Sequence, residues 1–382
     1  MNYKADTVCI HGQGSREQVE STGAISFPIY QTAAYVHPGV GHSTGYDYNR
    51  VQNPTRKELE RIVTDLEHGV DTIAFATGMA AVNAFMELLV PGNHVVATDD
   101  LYGGVIRQFR KVNEKNGIQF TYTDTSDLQA VEAAIQENTK LIYIETPTNP
   151  MMKVTDLQAV SEIAKKHHCL VAVDNTFLTP YFQNPLDLGA DVVIHSATKY
   201  LEGHNDTLGG FLVTNSPEIA DKIREMVKTT GACLAPFDSW LILRGIKTLS
   251  VRMEKHQENA LAIAKWLTGH PKVTEVFYIG LEEHPGHVTA RKQCGGYGGM
   301  LTFHVDTQET AHRVLERVKL IQFAESLGGT ESLMTYPFTQ THADVPDETR
   351  RANGIDEMTL RMSVGIENVQ DLIADLEQAL GT

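Results

Sequence analysis

The sequence has few cysteines, and those it has stand apart. Cys9, Cys169, Cys233 and Cys294 form no CxxC pair, so neither a structural zinc site nor a dithiol redox motif is indicated. Sparse, unpaired cysteines suit a reducing cytosol. No lysine- or arginine-rich run is present, and 32 basic residues stand against 48 acidic ones, a net charge of −16. The electrostatic footprint of a nucleic-acid binder is therefore missing. No stretch approaches about 18 consecutive apolar residues, so no membrane span is expected. The opening "MNYKADTVCIHGQG" lacks the apolar run of a signal peptide. Internal repeats and low-complexity tracts are absent as well.

What is there fits a globular chain with a large core. Hydrophobic residues make up 42% and charged residues 21% of 382 positions, a length that suggests roughly two to three domains. Residues 1–55 read as an irregular arm, rich in Gly, Pro and Tyr and too apolar to be a free tail. From 56 the pattern changes. "RKELERIVTDLEHG" has helical spacing at Leu59, Ile62, Val63 and Leu66, with Gly69 as its stop. Short runs that open almost wholly apolar then alternate with helical patterns: 94–100, 140–150, 169–176, 191–199 and 209–214. Runs of that kind are strands buried on both faces, which predicts a mostly parallel sheet with helices on both sides. After about 250 the elements mix as in a smaller α+β domain. The expected division is an arm (1–55), a large α/β domain (56–250) and a C-terminal domain (251–382).

Several predicted strands end in polar residues, at Asp99–Asp100, Glu145–Asn149, Asp174–Asn175 and Ser196–Lys199. In open α/β sheets, ligands gather at that edge. Each ending has a plain reading. Asp174 could be a helix cap or a turn residue, and Lys199 a solvated lysine. Thr77-Gly78, leading into an apolar helix, could be an ordinary cap. Together they fit one ligand. Ser196, Thr198 and the helix start at Gly78 suit a phosphate, Lys199 suits a carbonyl, and Asp174 suits a ring nitrogen. That set is the chemistry of pyridoxal 5'-phosphate (PLP) bound as a Schiff base. A metal site at His284, His287 or the pair His167–His168 has no acidic partner at suitable spacing.

The motifs "YDYNRVQNPTR", "TGMAA", "DDLYGG", "ETPTNP", "VDNTF", "HSATKY", "RGIKTL", "AESLGGTESL" and "RMSVGIE" follow one another along the chain. On them the sequence resembles the PLP enzymes of cysteine and methionine metabolism over nearly its whole length. The resemblance implies the type I (aspartate aminotransferase-like) fold and a homotetramer built from catalytic dimers. It implies that Lys199 carries the cofactor and moves protons, with Tyr102 stacked on the ring as a second acid or base. Asp174 would pair with the ring nitrogen, and Thr176 would lie beside the ring. Gly78, Met79, Ser196 and Thr198 would hold the phosphate, joined by Tyr48 and Arg50 of a neighbouring subunit, Tyr48 also reaching substrate. Asn149, Ser326 and Arg361 would bind substrate, with Arg361 on the α-carboxylate.

Three departures stand out: Thr77 where serine is common, Asn205 in "EGHND", and "TYPFTQTH" (335–342) with Phe338 and Gln340. Glu325 in "AESLGG" suits the distal ammonium of cystathionine, and Gly104 stands where methionine γ-lyases place a cysteine. The resemblance therefore implies cystathionine γ-lyase activity, with desulfhydration on the side. Cystathionine γ-synthase comes next, then cystathionine β-lyase. A PLP-binding regulatory protein is the alternative outside catalysis. No nucleic-acid or membrane partner is expected.

Overall fold

The computed structural model describes residues 3–13, 23–343 and 345–381. Positions 1–2 and 14–22 of the expected arm lie outside them. Helix α1 (Ala5–His11) packs on α2 (Pro54–Glu67). Asn53 caps α2 by accepting the N–H groups of Thr55 and Arg56, and Pro54 occupies the first turn, where its missing N–H is no loss. Leu59, Ile62, Val63 and Leu66 are buried as their spacing predicts. The helix stops one residue earlier than expected. His68, not Gly69, takes the left-handed conformation (φ 58). Gly69 is needed for space instead, since a Cβ there would lie 2.6 Å from Val213.

Seven strands form the larger sheet: β1 (Asp71–Phe75), β2 (His94–Thr98), β3 (Gln119–Thr123), β4 (Thr139–Glu145), β5 (Leu170–Asp174), β6 (Val192–Ser196) and β7 (Gly210–Thr214), in the order β1-β7-β6-β5-β4-β2-β3. Only β7 runs against the rest. Apart from the edge strand β3, which is only half-buried, the strands are buried on both faces, and alternate residues enter different cores. Leu141 and Tyr143 face one cluster; Ile142 and Ile144 face the other. This period of two sets the chemistry at the strand ends. Tyr143 and Glu145 share a face, and Asp174 and Ile194 are register partners on it. Helix α3 (Gly78–Met86) lies over that face against β6 and β7. The helix expected near 104–116 begins as α4 (Gly103–Gln108) and widens into a π-helical turn over Phe109–Asn113.

A second sheet has five strands: β8 (Val273–Phe277), β9 (Met300–Val305), β10 (Gln322–Phe323), β11 (Leu333–Thr335) and β12 (Thr359–Ser363), in the order β10-β11-β12-β9-β8. The helices Gln308–Arg317 and Val369–Leu380 complete its core. The two sheets are tied where the Thr302 hydroxyl donates to Pro150 O at 2.6 Å. Among the described residues no helix is long and apolar enough to cross a membrane, and all four cysteines are free.

Candidate active site

A cavity of about 380 Å³ opens where the strand ends of the larger sheet meet residues of the smaller one. That volume lies within the range of small-molecule and cofactor pockets. Its floor carries Asp174, Ile194 and Ser196, the cavity-facing residues at the ends of β5 and β6. Lys199 follows in the turn after β6. Its Nζ donates to Ser326 Oγ at 2.7 Å. Burial lowers the Lys199 pKa to about 8, the nearby Arg361 charge adds to that, and Glu325 opposes it. Burial disfavours an ammonium because its charge is stripped of water. A useful fraction of the amine is therefore neutral, and nucleophilic, near physiological pH.

One wall suits a phosphate. Thr77 caps α3 by accepting the Ala80 N–H, which leaves the N–H groups of Gly78 and Met79 without intrahelical acceptors. The backbone comes close here. A Cβ on Gly78 would meet Ser196 at 3.1 Å, and one on Gly210 would lie 2.3 Å from Thr77 O. The Thr198 hydroxyl donates to Gly209 O and accepts the Gly209 N–H, which pins the loop that carries Lys199. Thr77 keeps the capping hydroxyl, so this departure costs the site nothing.

Asp174 is buried. It accepts the Thr176 N–H at 3.0 Å, and the Thr176 hydroxyl in turn accepts the Ser196 N–H at 2.9 Å. Burial raises the Asp174 pKa, while Thr176 and then His195 pull it back. On the opposite face of β6, His195 Nε2 lies 2.6 Å from Glu67 Oε1, both fully buried. Tyr102 stands at the start of α4, 41% exposed, with its ring in the cavity wall. Gly104 makes room for that ring, because a Cβ there would lie 2.4 Å from its Cε1.

From the smaller sheet comes Arg361, buried in β12. Its Nη1 donates to Asn149 Oδ1 at 2.8 Å, and its Nη2 to Ser326 O and Thr335 Oγ1, each at 3.0 Å. Its Nε is buried with no partner among the described residues. Burial lowers the Arg361 pKa to about 10, so the group stays charged at neutral pH. A charged fork with a spare donor on a cavity wall suits a carboxylate. Ser326 has φ 94, a left-handed conformation that costs a non-glycine residue roughly 1–3 kcal/mol. Two contacts hold it there, its hydroxyl on Lys199 and its carbonyl on Arg361.

Every predicted site residue except Tyr48 and Arg50 lines this cavity. Tyr48 is 47% exposed on the arm, and Arg50 lies over its ring at 5.5 Å and donates to Lys228 O. Within one chain these two stay outside the site. Three contributors were given no role from sequence, although Glu145 was named there as a polar strand end. Glu145 and Phe177 lie in the wall, and Thr341 is the one residue of 335–342 that reaches it. Phe338 instead packs under Arg350 at 4.3 Å, and Gln340 accepts the Tyr336 N–H. Gly103 could have pointed to Thr341, since a Cβ on it would lie 2.0 Å from Thr341 O. Asn205 binds Glu331. His284 accepts the Gly286 N–H, and the ring of His287 bonds to Ile279 O.

A half-buried lysine amine with a lowered pKa, a helix start with free N–H groups and an acid at the strand edge place the chain among PLP enzymes of fold type I. The chain belongs to the Cys/Met metabolism PLP-dependent enzyme family, whose model matches residues 6–381. It is 50% identical to the cystathionine γ-lyase of Bacillus subtilis (strain 168), over 99% of both chains. It is 46% identical to a cystathionine β-lyase of Lactococcus lactis, over 98% of both. The crystal structure of cystathionine γ-synthase from Xanthomonas oryzae pv. oryzae in complex with cystathionine superposes with a TM-score of 0.96 at 39% identity, covering 100% of this chain and 98% of that one. The family is thereby shown, and with it PLP dependence.

The lowered Lys199 pKa makes a direct prediction. The rate at which cofactor-free protein captures PLP should rise roughly tenfold across the two pH units centred near 8, then level off, as the ammonium loses its proton. Stopped-flow absorbance would follow it. An ordinary lysine would keep gaining rate well beyond that range.

Proposed function

We propose that the chain is a cystathionine γ-lyase, cleaving L-cystathionine to cysteine, 2-oxobutanoate and ammonia, with cysteine or homocysteine desulfhydration as a side activity. The observation that carries this reading is Glu325. It is exposed at the rim of the cavity that holds Lys199 and Arg361. It also lines an adjoining cavity of about 620 Å³, together with Asp206 and Glu331. A substrate whose α-carboxylate sits on Arg361 would extend its distal ammonium toward that acidic rim.

In this reading PLP, when bound, draws electrons from the substrate's α-carbon. Lys199 holds the cofactor, takes the α-proton and then a β-proton. The Tyr102 ring covers the cofactor, and its hydroxyl serves as acid or base toward the amino and leaving groups. Asp174 faces the ring nitrogen, with Thr176 beside it. Gly78, Met79, Ser196 and Thr198 hold the phosphate. Arg361, Asn149 and Ser326 orient the substrate carboxylate. Tyr48 and Arg50 serve the site of a neighbouring copy, which gives the arm (1–55) a role between subunits of a cytoplasmic homotetramer. Residues 56–250 form the cofactor domain and 251–382 the C-terminal domain.

Product analysis tests the assignment. Incubation with cystathionine should give cysteine and 2-oxobutanoate. Homocysteine and pyruvate as main products would point to β-lyase chemistry, and net cystathionine from O-acylhomoserine plus cysteine to the synthase. Glu325→Gln should raise KM for cystathionine about fivefold, the size of a solvent-exposed ion pair. KM for cysteine, which has no distal ammonium, should move far less.

A further inference from the structure

Glu145 ends β4 and is the register partner of Asp174 at the end of β5. Both side chains line the PLP cavity, and Glu145 is only 5% exposed. A third buried acid, Asp100, lies on the same edge with its own donors, the Thr148 hydroxyl and the Met151 N–H. Asp174 has Thr176. Glu145 has one hydrogen bond among the described residues, accepted by Oε2 from the Tyr102 N–H at 2.9 Å. Arg361 spends both Nη groups on Asn149, Ser326 and Thr335, and reaches Glu145 only through space. The other groups that bear on this carboxyl are Tyr102 and Tyr143, with Lys199 across the cavity.

Two carboxyl groups side by side in a dry strand edge do not both ionise. The one with fewer donors keeps its proton. We propose that Glu145 is a positioning residue held as a neutral carboxylic acid: its carbonyl oxygen anchors the backbone of Tyr102, and its neutrality leaves Asp174 as the charge facing the cofactor ring. Burial, then Asp174, push its pKa well above the usual carboxylate range, in line with the geometry. The inference rests on PLP occupying this cavity, but the proton on Glu145 does not, so the two can fail separately.

The first test uses cofactor-free protein labelled with carbon-13 glutamate. At neutral pH the infrared spectrum should contain a protonated-carboxyl C=O band that is lost in Glu145→Gln and in Glu145→Asp, whichever folds. No difference between wild type and either variant would overturn the proposal. The second uses the holoenzyme. Glu145→Ala should weaken PLP binding about tenfold by removing the Tyr102 anchor, and Glu145→Gln, which keeps the acceptor, should restore it to within about threefold. The pH midpoint of the cofactor absorption band should stay put in Glu145→Gln. A nearby negative charge would favour the protonated, lysine-linked cofactor, so a fall of about one unit would mean that Glu145 was ionised after all.

Discussion

Lys199→Ala should leave a folded protein with no covalently bound PLP, no long-wavelength absorption band and at least about 10³-fold lower turnover. The expected loss is large because nothing nearby can stand in. Lys199 is the only amine among the described residues lining the cavity. Lys153, the lysine at the neighbouring strand edge, is committed to Asp124 at 2.9 Å and Asp99 at 3.4 Å. The fold should tolerate the change, since Lys199 Nζ makes one hydrogen bond among the described residues, to Ser326. Absorbance spectra and steady-state rates check both halves. A variant that kept the band, or turned over within about tenfold of wild type, would defeat the assignment.

Arg361→Lys should raise KM for amino-acid substrates by about 10²- to 10³-fold while PLP stays bound. Lysine keeps the charge but has a single ammonium in place of the planar fork. The substitution leaves Asn149 Oδ1, Ser326 O and Thr335 Oγ1 to share one donor group. Truncating a buried, hydrogen-bonded charge costs about 2–5 kcal/mol, and the loss should appear in substrate binding rather than in the cofactor spectrum. Titrating the cofactor band with substrate gives the affinity directly. An unchanged KM would mean that the carboxylate binds elsewhere.

The larger sheet was legible in the sequence because its strands are apolar on both faces and end abruptly in polar residues. The same rule brought Asp174, Ser196 and Lys199 to one edge. Less legible were features set by contact across long separations. Glu145 was visible as a polar strand end, yet its tie to Tyr102 depends on how β4 and the start of α4 come together. In 335–342 the unusual Phe338 and Gln340 turned out to brace their own segment, and the plain Thr341 reaches the cavity. His68 taking the left-handed turn ahead of Gly69 has the same origin. Packing against Val213 claimed the glycine, and the helix end made do with its neighbour.

Ser326 touches Lys199 with its hydroxyl and Arg361 with its carbonyl. A proton on the lysine and an anion on the arginine are thus two ligands of one strained residue. Whatever factor the carboxylate imposes on the proton's affinity, the proton must return to the carboxylate, because the linkage is reciprocal. Substrate capture and the readiness of the base are then two readings of a single equilibrium.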